Sequence, residues 1–125
     1  MNTKTVCEKL SVTPKMLRVY EEQGLIKPKR LENNYRDYSV ENLVQIETIA
    51  ILRRLGFSVN EIKSILAFDR TNNEYLDMFY LQYKALESQI TELMEIKREL
   101  KGTINKMIEN RDGESLDKII LTGRE

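Results

Sequence analysis

Apolar and polar positions follow a helical period over most of this chain, and the breaks in the period fall at residues that start or stop helices. Lys4 to Leu10 reads as a short helix with Val6, Cys7 and Leu10 on one side and charges on the other. Ser11-Val12 then makes a tight turn. Thr13 can cap a second helix whose first position is Pro14; Leu17 and Tyr20 fall on related faces, and Gly24 stops it after Gln23. From Leu25 to Arg30 the chain is expected to be extended, because Pro28 cannot join a helix interior and restricts Lys27 to β or polyproline geometry. Asn33-Asn34 tolerates positive φ and suits a hairpin tip, after which Tyr35 to Tyr38 returns as a second strand. Ser39 caps a third helix, Val40 to Leu55, in which Leu43, Ile46, Ile49, Ala50 and Arg53 keep helical spacing and Gly56 supplies the stop. Ser58-Val-Asn-Glu61 is a capping box that opens a fourth helix through Ile62, Ile65 and Leu66. The predicted core of this unit is Val6, Leu10, Leu17, Leu43, Ile46, Leu52, Leu55, Phe57, Ile62 and Leu66.

Beyond it the pattern changes. A helix is expected from about Asn73 to near Asn110, with neither glycine nor proline until Gly102. Phe79, Tyr83, Leu86, Ile90, Leu93, Lys97, Leu100, Ile104 and Met107 recur at alternating steps of four and three, an a/d heptad seam. At 1.5 Å per residue some 36 residues make a rod of roughly 54 Å, too long a stripe for this chain to bury against itself. A second copy of the helix is the natural cover, so the spacing predicts a homodimer. Lys97 is the polar seam position and is expected to set register, while Gly102 weakens the helix by about 1 kcal/mol relative to alanine. After Gly113 only Glu114 to Glu125 remain, with Ser115 to Leu121 able to form two amphipathic turns that could dock on the partner. That is too short for a ligand-binding domain: either the protein works without one, or it lies on a part of the chain absent from this sequence. The expected organisation is residues 1–70 as a winged helix-turn-helix domain, residues 71–110 as a coiled-coil dimerisation helix, and residues 111–125 as a short tail.

Composition narrows the chemistry. A 125-residue chain with 41% hydrophobic residues can fill one modest core. No apolar run approaches the roughly 18 residues of a membrane span and the N-terminus lacks a signal-peptide h-region, so a soluble, cytoplasmic protein without membrane partners is expected. One cysteine and no histidine rule out a disulfide framework and leave too few soft ligands for a zinc, copper or iron–sulfur site within one chain. No phosphate-binding glycine loop and no reactive-looking cysteine are present, and Glu21-Glu22 have an ordinary solvated reading, so an enzyme is not expected and no cofactor is implied. The net charge of zero conceals an asymmetry: up to Arg70 twelve Lys/Arg stand against nine Asp/Glu, and from Thr71 onward eight against eleven. Between Lys15 and Arg36 six basic residues face three acidic ones, Glu21, Glu22 and Glu32. A local basic patch, and not the total charge, sets phosphate affinity.

That patch lies on the second helix and the hairpin. Lys15 and Arg18 are one turn apart, on one face of a short helix in a helix-turn-helix, where they could reach phosphates or the acceptors of a guanine edge. A lone Lys/Arg pair is as readily a solvated face; the aromatic and basic hairpin beside it turns the reading towards duplex DNA.

Val6 to Val12, Leu17-Arg-Val-Tyr-Glu21, Gly24-Leu-Ile-Lys-Pro28, Tyr35-Arg-Asp-Tyr38 and Leu55-Gly-Phe-Ser58 with Glu61-Ile62 together resemble the MerR family of bacterial winged helix-turn-helix transcription regulators. The likeness covers roughly Thr3 to Leu66, with the long helix in the family's order. It implies a mainly α fold, a winged helix-turn-helix followed by a long dimerisation helix in an antiparallel coiled coil. It also implies binding to a pseudo-palindromic promoter, and bending and untwisting of the spacer so that RNA polymerase engages both promoter elements. By the same resemblance Thr13, Lys15, Arg18 and Tyr20 would face the major groove and its phosphates, Tyr35, Arg36 and Tyr38 would be wing contacts, and Lys63 a phosphate contact from a second wing. Core packing is the alternative for each tyrosine. Val19 replaces the first of two family tyrosines, Ser11 the turn glycine and Asn34 the wing-tip glycine; Ser11 is expected not to need positive φ. Cys7 stands at a small-residue position and is read as an apolar filler rather than a redox sensor. Ile51 occupies the region where electrophile-sensing members carry a cysteine, and the end of the dimer helix lacks the cysteines of metal-sensing ones. Tyr75, Met78, Phe79, Tyr80 and Tyr83 could line a small-molecule inducer pocket, or simply belong to the coiled-coil core.

Two other functions share parts of this pattern. A DNA-architectural or excision accessory protein would use a similar winged domain, but such factors are commonly short and lack the long helix. A coiled-coil interaction module would need the long helix and leave the wing sequence without a purpose.

Overall fold

The computed structural model describes residues 1–110 and 113–121; of the expected tail, 111–112 and 122–125 lie outside the described residues. Helices start where a short polar side chain replaces the missing intrahelical acceptor. Asn2 Oδ1 accepts the Thr5 N–H at 2.9 Å to open α1 (Thr3–Leu10), and Thr13 Oγ1 accepts the Met16 N–H at 3.1 Å to open α2 (Pro14–Glu22). Ser39 with Asn42 and Ser58 with Glu61 form reciprocal capping boxes at α3 (Val40–Arg54) and α4 (Val59–Leu66). Thr71 and Glu74 repeat the exchange at α5 (Asn72–Glu109), where the Glu74 N–H donates to Thr71 Oγ1 at 3.2 Å and the Thr71 N–H to Glu74 Oε1 at 3.2 Å. A short sixth helix, α6, spans Leu116–Leu121.

Between α2 and α3 the chain makes an antiparallel hairpin of β1 (Lys29–Arg30) and β2 (Arg36–Asp37), with Lys29 opposite Asp37 and Arg30 opposite Arg36. Asn34 takes φ 68° at the tip, as its side chain allows, and Arg30 Nη1 donates to its carbonyl at 3.0 Å. The strands are shorter than the extended runs expected for this segment. Met1 lies along the far side of β2, where its carbonyl accepts the Tyr38 N–H at 2.7 Å.

The chain divides into two compact units, Met1–Tyr75 and Leu76–Glu125. In the first, α1 packs on α2 and α3 on α4. Val6, Leu17, Ile46, Ile49 and Ile62 are the largest fully buried side chains, ringed by Val12, Tyr20, Ile26, Tyr38, Leu52, Phe57 and Ile65. Four expected core residues sit elsewhere. Leu10 and Leu43 are half-buried, whereas Leu55 and Leu66 are exposed. At the end of α4 it is Ile65 that turns inward, because the helical period leaves two adjacent apolar residues interchangeable until the packing partner fixes the rotation. Ser11 departs from expectation too: it takes φ 54° at the end of α1, a left-handed turn that costs a non-glycine residue about 1–2 kcal/mol.

Ile46 is 0% exposed at the centre of this core. Ile46→Ala is expected to lower unfolding free energy by about 2–5 kcal/mol in urea titrations, the loss of transfer energy and the cavity acting together. A loss below about 1 kcal/mol would mean that the core is not organised around α3.

In the second unit none of the described side chains of α5 or α6 is buried. The heptad positions Phe79, Tyr83, Leu86, Ile90, Leu93, Lys97, Leu100, Ile104 and Met107 all lie open within the single chain. Tyr80 and Tyr83 stack tilted at 6.1 Å, and Tyr80 lines a shallow depression with Asp77, Leu81 and Lys84. Tyr75, the first of the aromatic group, is engaged in the other unit, where its hydroxyl accepts the Arg70 N–H at 3.3 Å.

Candidate nucleic-acid interface

The second helix separates its faces cleanly. Leu17 and Tyr20 point into the core, while Thr13, Lys15 and Arg18 are exposed. Three- and four-residue spacing explains the division: residues 17 and 20 share one side, 15 and 18 another. Thr13 has a structural task as well, since its hydroxyl oxygen holds the Met16 N–H.

Glu21 joins this helix to the hairpin. Its carboxylate accepts Arg36 Nε at 2.9 and 3.3 Å through its two oxygens, and Arg30 Nη2 at 3.3 Å. The bond from Arg36, with the charges of Arg36 and Arg30 behind it, holds the Glu21 carboxyl below the usual carboxylate range. The same bond raises the Arg36 guanidinium above its own. Arg36 is half-buried and oriented by Glu21, whereas Tyr35 at the wing tip is 71% exposed, its N–H held by Asn33 Oδ1 at 3.1 Å. Lys63, exposed on α4, reaches Gln23 Oε1 at 3.5 Å beside the end of α2.

Two tyrosines of the expected set are buried. Tyr20 and Tyr38 are each 3% exposed, so their rings belong to the core, the packing alternative for each. Burial raises both phenols, and the Tyr38 side chain is further hydrogen-bonded with Thr3. An amphipathic ring fills a core as readily as it meets a phosphate, and here the first demand prevails. Cys7 is half-buried, its thiol pushed up by burial and by Glu8, as suits a filler and not a reactive thiolate. Sequence reasoning missed Glu21 as the link, and Arg30 as its second cation. The signal was an acid one turn beyond Arg18, the first of the pair Glu21-Glu22, followed by a hairpin with arginines in both strands.

A helix-turn-helix with a basic outward face and a wing clasped beside it is a DNA-reading module. The chain matches the description "MerR HTH family regulatory protein" over residues 1–69 and "MerR, DNA binding" over residues 43–103. It is 32% identical over 109 residues to the HTH-type transcriptional regulator HmrR of Rhizobium leguminosarum bv. viciae, covering 84% of each chain. A mercuric resistance operon regulatory protein of Bacillus cereus is 32% identical over 112 residues, 86% of this chain and 85% of that one. Among solved structures, a MerR family transcriptional regulator from Bacillus cereus superposes with a TM-score of 0.82 at 21% identity, covering 95% of this chain and 90% of its own. HiNmlR, a MerR family regulator lacking the sensor domain and bound to promoter DNA, gives a TM-score of 0.63 at 24% identity, covering 95% and 94%. The chain belongs to the MerR family of helix-turn-helix transcription regulators. Among the described residues no helix is long and apolar enough to cross a membrane.

Proposed function

We propose that this regulator acts in the cytoplasm as a homodimer on a pseudo-palindromic promoter, and that it works by distorting the spacer between elements that RNA polymerase must engage together. Thr13, Lys15 and Arg18 enter the major groove, Arg18 as the base reader. Tyr35 and Arg36 contact phosphates from the wing and Lys63 from the last turn of α4. The observation that carries the reading is the division of α2 into a buried Leu17–Tyr20 face and an exposed Lys15–Arg18 face. The promoter-bound neighbour of the same fold supports the choice of partner. The stripe from Phe79 to Met107, uncovered in the single chain, supports the dimer, with an antiparallel coiled coil as the arrangement. No response to mercury is carried over from the Bacillus cereus relative, since the chain has one cysteine and no histidine. A small apolar inducer at the dimer interface near Phe79, Tyr80 and Tyr83 remains the candidate effector.

Selecting genomic fragments with the purified protein identifies the site, and Arg18→Ala tests the reader. The variant is expected to lose about 1–3 kcal/mol on the selected fragment and much less on random duplex in fluorescence-anisotropy titrations. Equal losses on both would reduce Arg18 to a phosphate contact.

A further inference from the structure

The hairpin contains a conflict that one carboxylate resolves. Arg30 and Arg36 are directly opposed in the ladder, and like charges in that relation destabilise a strand pair. Glu21, on the recognition helix, takes Arg36 Nε with both oxygens and Arg30 Nη2 with one. With side-chain exposures of 23% for Glu21 and 27% for Arg36, that pair is only partly screened by water. The wing is thereby fixed to the helix that reads bases, and its two arginines already have an anionic partner before DNA arrives.

We infer that Glu21 is a positioning residue that sets the ratio of sequence-specific to non-specific binding, by holding Arg30 and Arg36 in one geometry and away from arbitrary phosphates. This deepens the DNA-binding reading and rests on it. Non-specific affinity comes from Lys and Arg neutralising phosphates wherever they meet them. An arginine bound to Glu21 must exchange that carboxylate for a phosphate, or share itself between the two. On a matched site the base contacts of α2 seat the wing where sharing costs little. On random DNA nothing offsets the exchange, so the carboxylate acts as a competitor for the wing cations.

The test compares the parent protein with Glu21→Gln on two duplexes, the best genomic fragment and a random sequence, across a salt series. Loss of the carboxylate charge is expected to raise affinity for the random duplex by about tenfold at low salt. The plot of log affinity against log salt on that duplex should steepen by about 1–2, roughly one unit per newly engaged phosphate. Affinity for the selected fragment should rise less, so the specificity ratio falls several-fold. In an Arg36→Gln background the same substitution should have a much smaller effect, since the pair is one unit. Circular dichroism melts establish that each variant is folded. Should Glu21→Gln fail to fold, Glu21→Asp keeps the charge on a shorter arm and is expected to shift slope and ratio in the same direction by less. A folded variant, Gln or Asp, with the parent's salt slope and ratio would overturn the inference, as would equal losses on both duplexes. A parent protein that bound neither duplex would overturn the DNA-binding reading itself, and with it this one.

Discussion

Replacing Leu86 and Leu93 together with glutamate is expected to turn a dimer at about 10 μM into a monomer, and to reduce DNA binding to that of a single half-site. Within one chain these leucines are 38% and 65% exposed, and no described side chain of α5 is buried. A helix does not keep eight apolar seam positions in water when its own period matches a coiled-coil seam. In a symmetric pair each substitution occurs twice. Burial of a leucine contributes about 1.5–3 kcal/mol, so the four lost burials are comparable to the roughly 8 kcal/mol that separates a micromolar dimer from none. Four carboxylates placed in the seam add repulsion and desolvation to that loss. Light scattering or sedimentation equilibrium reads the outcome. A variant that stays dimeric would show that the stripe is covered by something other than its own copy.

Removing two base pairs from the centre of the operator is expected to weaken binding by more than tenfold, while changing the identity of the same two pairs alters it only a few-fold. Two recognition helices held by one dimer can dock together only on half-sites presented at their separation and on their side of the duplex. Deleting two pairs rotates one half-site by roughly a fifth of a turn of about 10.5 base pairs and brings it closer, so one helix loses its groove or the DNA must untwist to restore it. Substitution changes only the stiffness of the untouched centre. In transcription reactions the deletion should raise basal output, because the polymerase elements then lie nearer without help, and the protein's stimulation should vanish. Stimulation that survived the shortened spacer would point to a regulator that blocks or recruits polymerase without distorting DNA.

What the sequence disclosed, it disclosed through short-range chemistry. Thr13 before Pro14, Ser39, and Ser58 with Glu61 mark helix starts, because a cap and its target are three residues apart. Asn34 at the wing tip is legible for the same reason: its tolerance of positive φ is its own property. The outward Lys15–Arg18 face follows from the helical period alone. Features decided by distant partners were misread. Tyr20 and Tyr38 turn inward, each 3% exposed, a choice between core and surface that no local pattern decides. Glu21 finds its partner fifteen residues on, across a turn whose geometry had to be known first. Ile65 rather than Leu66 is buried because only the packed neighbours fix the rotation of α4. Ser11 takes a left-handed turn, φ 54°, that its residue type argues against.

The caps at Asn2, Thr13, Ser39, Ser58 and Thr71 also bear on how the chain reaches this state. Each lets a helix choose its first residue from information within its own first turn, before any tertiary contact exists. Only the small hairpin and the closing of the core require distant segments to meet. Choice among alternative helix registers is thus narrowed locally, while helices of eight or nine residues still take their stability from the packing that brings them together. Such a chain is expected to fold fast, and to do so in the order in which it leaves the ribosome, with its DNA-reading unit assembled while the long helix is still being made.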